Sequence, residues 1–148
     1  TSIRSEAGCL PMGQVKTQES MQGLVRAGMG GGALRAATGY GFLRVQKWAE
    51  HCADGIVERR GAVAHPVEPE LRAWMDRVFL AALRAQPQRG PDFFMRLARS
   101  LSPDAFVRFM SDAATAPDLL GIIMALPARP LVAAALSPAI YASAGPAP

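Results

Sequence analysis

The chain has 148 residues, half of them apolar and 19% charged, with a formal net charge of +4. That length and composition suit one globular unit with a real core and exclude an intrinsically disordered chain. The positive charge is mostly arginine, interspersed with Asp and Glu along predicted helices. It forms no basic patch with zinc-finger spacing or an aromatic–basic sheet motif, so nucleic acid is not an expected partner. Scattered Arg beside apolar helices suits an anionic membrane surface better.

The chain begins at Thr1, with no basic-then-apolar leader before the first motif, and is therefore read as a piece of a longer protein. Residues 1–22 read as extended and loop structure punctuated by Gly8, Pro11 and Gly13. Gly23 to Ala27 has the apolar character of a buried strand, interrupted by Arg26. The glycine cluster Gly28-Met29-Gly30-Gly31-Gly32 follows, then Thr38-Gly39-Tyr40. From about Gly39 to Ile56, Phe42, Val45, Ala49, Cys52 and Ile56 recur at helical spacing. Nothing else in the chain offers itself as a partner for that Phe42 face.

Residues 57–67 read as a connection, and beyond them the chain becomes a series of short helices. Leu71, Trp74, Met75, Val78, Phe79, Ala82 and Leu83 mark one helix face, stopped by Pro87 and Gly90. Pro91 opens a helix carrying Phe94, Leu97, Ala98 and Leu101. Ser102-Pro103-Asp104 is a helix start whose helix is expected to bury Phe106, Val107 and Met110. Thr115-Ala116-Pro117-Asp118 has the form of a capping box with Asp in place of Glu. Its helix, Leu119 to Leu126, stops at Pro127 and is far short of the roughly 20 residues a bilayer span needs. Pro130 starts a last apolar segment. Residues 141–148 are expected to fray.

Cys9 and Cys52 fit no ligand spacing, so no metal site is expected and a reducing cytoplasm is the default. His51 and His65 read as surface histidines, and Cys52 as a half-buried thiol.

The glycine cluster admits three readings. It can be a plain flexible connector. It can be a dinucleotide fingerprint, since Gly28-x-Gly30-x-x-Ala33 fits the pattern, though the acid expected about 20 positions on falls at Glu50, inside a helix. The third treats the strand, the small-residue loop and the Thr38-Gly39 helix start as the far wall of a flavin site. Glycines let backbone amides approach a pyrophosphate and ribityl chain, and a helix N-terminus favours the negative charge of a reduced flavin.

The residues "RAGMGGGALRAATGYGFLRVQKWA" resemble the C-terminal flavin-binding segment of the lycopene beta-cyclase family, with its G-x-A-G-G-x-x-x-P-S/T-T-G-Y pattern. "EAGCLPMG" upstream is similar to that family's E-x-G-x-I-P-M stretch. "FVRFMSD" followed by "DLL" and "ALP" is similar to its closing helical region, so the resemblance runs from about Glu6 to Leu136. The chain departs from the pattern in two places. Met29 stands where many related flavoproteins have Asp, and Ala36-Ala37 stand where the family has Pro and Ser/Thr. Losing that proline loosens the helix entry by about 0.5–1 kcal/mol.

The resemblance implies an α/β flavoprotein of the glutathione-reductase-like FAD-binding fold, represented by a mostly helical C-terminal portion. Residues 1–56 would end the substrate region and complete the FAD-binding segment, and 68–140 would form the helical region. It implies reduced FAD, with NAD(P)H as reductant, contacted by Gly28, Gly30, Gly31, Gly32, Thr38, Gly39 and Tyr40. The implied reaction is redox-neutral, acid-catalysed closure of a linear polyene end group to a beta-ionone ring, at the inner face of the cytoplasmic membrane. The general-acid glutamate and the adenine-binding portion would lie upstream of Thr1; Glu6 and Glu19 match neither. Aromatic and Met side chains after Leu71 are expected to serve core packing; the alternative is that some line a polyene tunnel or contact the membrane that stores the substrate. A flavin monooxygenase or prenyl reductase on the same scaffold, or a non-enzymatic membrane-surface helical module, are the alternatives.

Overall fold

The computed structural model describes residues 4, 5, 13 and 24–140, and these residues are helical and irregular, with no strand among them. A short 3-10 turn, Gly28–Gly31, precedes six α-helices: α1 (Phe42–Val57), α2 (Glu70–Ala85), α3 (Gly90–Ser100), α4 (Pro103–Met110), α5 (Ala116–Ala125) and α6 (Ala128–Ala135). The FAD-binding α/β arrangement is therefore not seen within these residues. The expected strand at 23–27 is irregular from Leu24 to Ala27, and among the described residues no extended segment lies in position to accept its backbone hydrogen bonds. Glu6, Glu19, Cys9 and the 141–148 tail lie outside the described residues.

Helix α1 starts at Phe42 rather than Gly39. Gly39 sits at φ +68, and the chain closes a tight loop there, with Arg35 N donating to the Tyr40 carbonyl at 2.9 Å and Gly39 N to the Arg35 carbonyl at 2.8 Å. A left-handed residue cannot continue into a right-handed helix. Phe42 and Ile56 are exposed, and α1 instead turns Cys52 and Gly55 inward. Cys52 is a buried thiol rather than a half-buried one. Gly55 does not end the helix; a Cβ there would come within 2.9 Å of the Gly61 carbonyl oxygen, so the returning chain packs directly on α1.

The core lies in the helical half. Val78 and Ala82 of α2 meet Phe93 of α3, Ala134 of α6 and Ile140 in one cluster. Leu97, Phe109 and Ile122 of α3, α4 and α5 form a second, and Leu126 packs against both. The inward residues of two helices differ from the expected faces. In α3 they are Phe93 and Leu97, while Phe94 and Ala98 look outward. In α4 they are Ala105 and Phe109, while Val107 is exposed. In each case the apolar stripe admits two registers one residue apart, and the tertiary neighbours decide. Phe79 touches both Phe93 and Phe94, with ring centroids at 6.2 and 5.5 Å.

Local signals hold the helix starts. Ser102 Oγ accepts from Ala105 N at 3.2 Å. At α5 the capping box is complete: Thr115 Oγ1 accepts from Asp118 N, and Asp118 Oδ2 accepts from Thr115 N at 2.9 Å. Arg108 grips the same carboxylate at 2.7 and 2.9 Å, and these bonds hold Asp118 well below the usual carboxylate range.

Candidate functional site

The 3-10 turn Gly28–Gly31 closes on itself, with Gly32 N bonded to the Met29 carbonyl and Ala33 N to the Gly28 carbonyl, both at 3.1 Å. Gly31 is required by close approach: a Cβ there would collide with the Arg26 carbonyl oxygen and lie 3.0 Å from His65 Cδ2. Beside this turn is a cleft of about 220 Å³ whose walls include Gly31, Gly32, Leu34, Arg44, His65 and Asp76.

His65 is not on the surface. It is buried, stacked on Trp48 with centroids 4.3 Å apart, and Trp48 is fixed in turn by its Nε1–H bond to the Val63 carbonyl at 2.7 Å. His65 Nε2 is buried and has no hydrogen-bond partner among the described residues. Burial, aided by the nearby Arg44 charge, pushes its pKa below the ordinary 6.5, so the ring is neutral at pH 7. The same side chain also borders a wider trough of about 580 Å³ lined by Arg44, Lys47, Trp48, His51 and Arg72.

On the other side of the loop lies an apolar cavity of about 240 Å³ between α2, α5 and α6, walled by Trp74, Val78, Phe79, Ile122, Leu126 and Leu131. Ala37 and Thr38 of the loop close one side of it. Asp76 is common to this cavity and to the glycine cleft.

A buried ion pair fixes that junction. Arg35 donates from both Nε and Nη2 to Asp76 Oδ1 at 3.3 Å and from Nη1 to the Phe109 carbonyl at 2.9 Å, with its guanidinium 4.2 Å above the Phe109 ring. The Ala37 amide also donates to Asp76. Desolvation raises the Asp76 pKa, and the Arg35 charge and hydrogen bonds work against it. Next to it, Arg44 bonds Glu68 at 2.7 Å and Asp112 at 2.9 Å, while Arg72 reaches the same two carboxylates at 3.2 Å each. Asp112 holds its place with a left-handed backbone, φ +61.

The sequence-expected cofactor residues thus divide. Gly31 and Gly32 line the cleft, and Thr38 lines the apolar cavity. Gly28, Gly30, Gly39 and Tyr40 border neither, and the Tyr40 amide is taken up by Thr38 Oγ1 at 3.2 Å. The N-terminus of α1, at Gly41, has no side-chain cap. A family model described as lycopene cyclase protein matches residues 1–136. The chain belongs to the lycopene cyclase family. Comparison with curated proteins and with solved structures found no match.

In this lycopene cyclase chain the polar groups that organise the junction were not assigned a role from sequence, and His65 was read there as a surface histidine. Arg35, Arg44, His65, Asp76 and Asp112 carry it. Two signals were present. Asp76 interrupts the apolar stripe of α2 between Met75 and Val78, and Arg35 is the lone cation in the small-residue run Ala33-Leu34-Arg35-Ala36-Ala37. A charge embedded in apolar surroundings implies a buried partner.

Proposed function

We propose that this chain serves a flavin-dependent cyclase that closes a linear carotenoid end group into a beta-ionone ring without net redox change. In this reading the glycine cleft holds part of reduced FAD, NAD(P)H keeps it reduced, and the apolar cavity takes the polyene end. The carrying observation is the shared wall: Asp76 and the loop from Gly31 to Thr38 separate a polar cleft from an apolar cavity by one layer of protein.

The residues present suit the cofactor. Gly32 leaves backbone open at the cleft, and His65 Nε2 is an orphaned polar atom on its wall. When bound, a reduced flavin would supply negative charge that stabilises a developing carbocation. The chain's own contribution is positioning and exclusion. The Arg35–Asp76 pair holds Ala37 and Thr38 against the cavity, and the apolar walls keep water from a cation before it loses its proton. None of the described carboxylates is assigned as the general acid. The same reading places the enzyme peripherally on the cytoplasmic face of a membrane.

Product mass tests the reaction. The full-length enzyme, given FAD, NADH and lycopene in vesicles in deuterium oxide, is expected to yield a product of unchanged formula. That product carries one solvent deuterium per ring, because the protonated carbon keeps its new hydrogen. Gain of oxygen, or of two hydrogens, would replace the cyclase with a monooxygenase or a reductase.

A further inference from the structure

The apolar cavity opens at the elbow where α5 turns into α6. Ile123 and Val132 line the cavity and are both more than half exposed, so they stand at its mouth. Leu120 and Met124 share the Ile123 face of α5, and Leu136 shares the Val132 face of α6; Met124 and Leu136 are 79% and 81% exposed. The two helices bend by 107° at Leu126-Pro127, and with 10 and 8 residues neither spans a bilayer. A cluster of large apolar side chains around a cavity mouth marks an interaction surface rather than ordinary scatter.

Charge identifies the occupant. From Leu119 to Pro148 the sequence has no carboxylate, and its only charged side chain is Arg129, exposed at the elbow. A protein partner of comparable affinity would call for polar groups at the rim to fix register. A face of Leu, Ile, Met and Val with a single cation suits the interfacial zone of a bilayer, apolar residues among the acyl chains and Arg at the headgroups.

We propose that the α5–α6 elbow is a lipid-facing portal through which an apolar ligand dissolved in an anionic bilayer enters the cavity directly. This rests on the reading above only for the nature of the ligand. The portal lets a hydrocarbon pass from acyl chains to Trp74 and Phe79 without crossing water.

The test uses the full chain and vesicles of phosphatidylcholine with phosphatidylglycerol, loaded with diphenylhexatriene, a linear conjugated hydrocarbon whose absorption overlaps tryptophan emission. The protein is expected to float with the vesicles, and Trp74 as the sole tryptophan (W48F) is expected to be quenched more strongly than Trp48 as the sole tryptophan (W74F), because Trp74 lines the cavity. Met124→Glu and Leu136→Glu, both on exposed positions, should each weaken vesicle binding about tenfold or more. Val107→Glu is the control: it is 58% exposed on α4 beside Asp104 and Arg108 and should leave binding unchanged. Arg129→Glu should weaken binding to anionic vesicles but not to pure phosphatidylcholine.

Equal effects of V107E and M124E, or quenching as strong for Trp48 alone as for Trp74 alone, overturn the portal. So does a dimer that M124E converts to monomer while vesicle binding stays intact, since a second copy would then cover the face. None of these readouts needs flavin or turnover. Probe uptake without cyclisation sinks the proposed reaction alone, and cyclisation with vesicle binding indifferent to M124E and L136E sinks the portal alone.

Discussion

Residues 24–69 and residues 70–140 are built by different physics. The first stretch buries Arg35 and His65, spreads few large apolar groups inward, and leaves Phe42, Ile56 and Val57 outside. The second buries Phe93, Leu97, Phe109 and Ile122 in two clusters joined through Leu126. Apolar burial holds the helical half to itself, whereas the glycine half is fastened to it by ion pairs: Arg35 to Asp76, and Arg44 to Asp112. A non-directional core supplies stability, and directional charge pairs supply placement. The glycine loop, proposed above to present backbone to a cofactor, is held by the directional kind.

Breaking the fastening should have the largest effect. Arg35→Met leaves the Asp76 carboxylate buried without its cation, and is expected to cost about 3–5 kcal/mol in denaturant unfolding. The double variant R35M/D76L should recover more than half of that. Because Trp48 sits in the glycine half and Trp74 in the helical half, single-tryptophan versions of R35M should unfold in two separated transitions. Coincident transitions would show that the ion pair is not what couples the halves.

Leu97→Ala tests the other side of the contrast. It removes a core side chain and should cost about 2–4 kcal/mol, with both tryptophans reporting one shared transition. A loss below about 1 kcal/mol would mean that the second cluster contributes little.

The smallest effect sharpens the glycine half. The folded pKa of His65 lies below its ordinary 6.5, so its stabilising contribution is present above that value and is lost as pH falls below it. Stability of the native protein should therefore decline from about pH 7 toward pH 5, and His65→Leu should flatten that slope while changing neutral-pH stability by less than about 1 kcal/mol. An unchanged slope would place the titration elsewhere.

What could be read from residues follows the same division. Helix existence and helix starts were legible, because Ser102, Pro103 and the Thr115–Asp118 box act over three or four positions. Inward faces were legible to within one residue, as Phe93 against Phe94 shows. The glycine half was misjudged at His65, at the expected strand and at the start of α1. Each depends on a distant partner or on the lack of one: Trp48 is 17 positions before His65, and Asp76 is 41 after Arg35. Periodicity carries no record of such pairings. The division of Gly31 from Thr38, one on each side of the wall, likewise depends on how the loop is clamped and not on its composition.

The interior cluster also bears on ionic strength. Arg35, Arg44 and Arg72 are matched there by Glu68, Asp76 and Asp112, three cations against three anions. The cluster therefore takes nothing from the +4 excess of the chain, which must reside on peripheral side chains. Salt at physiological concentration screens exposed charge beyond about 8 Å but hardly reaches a buried pair. Added salt should thus weaken the anionic-membrane binding proposed above while leaving the loop seated on its helices.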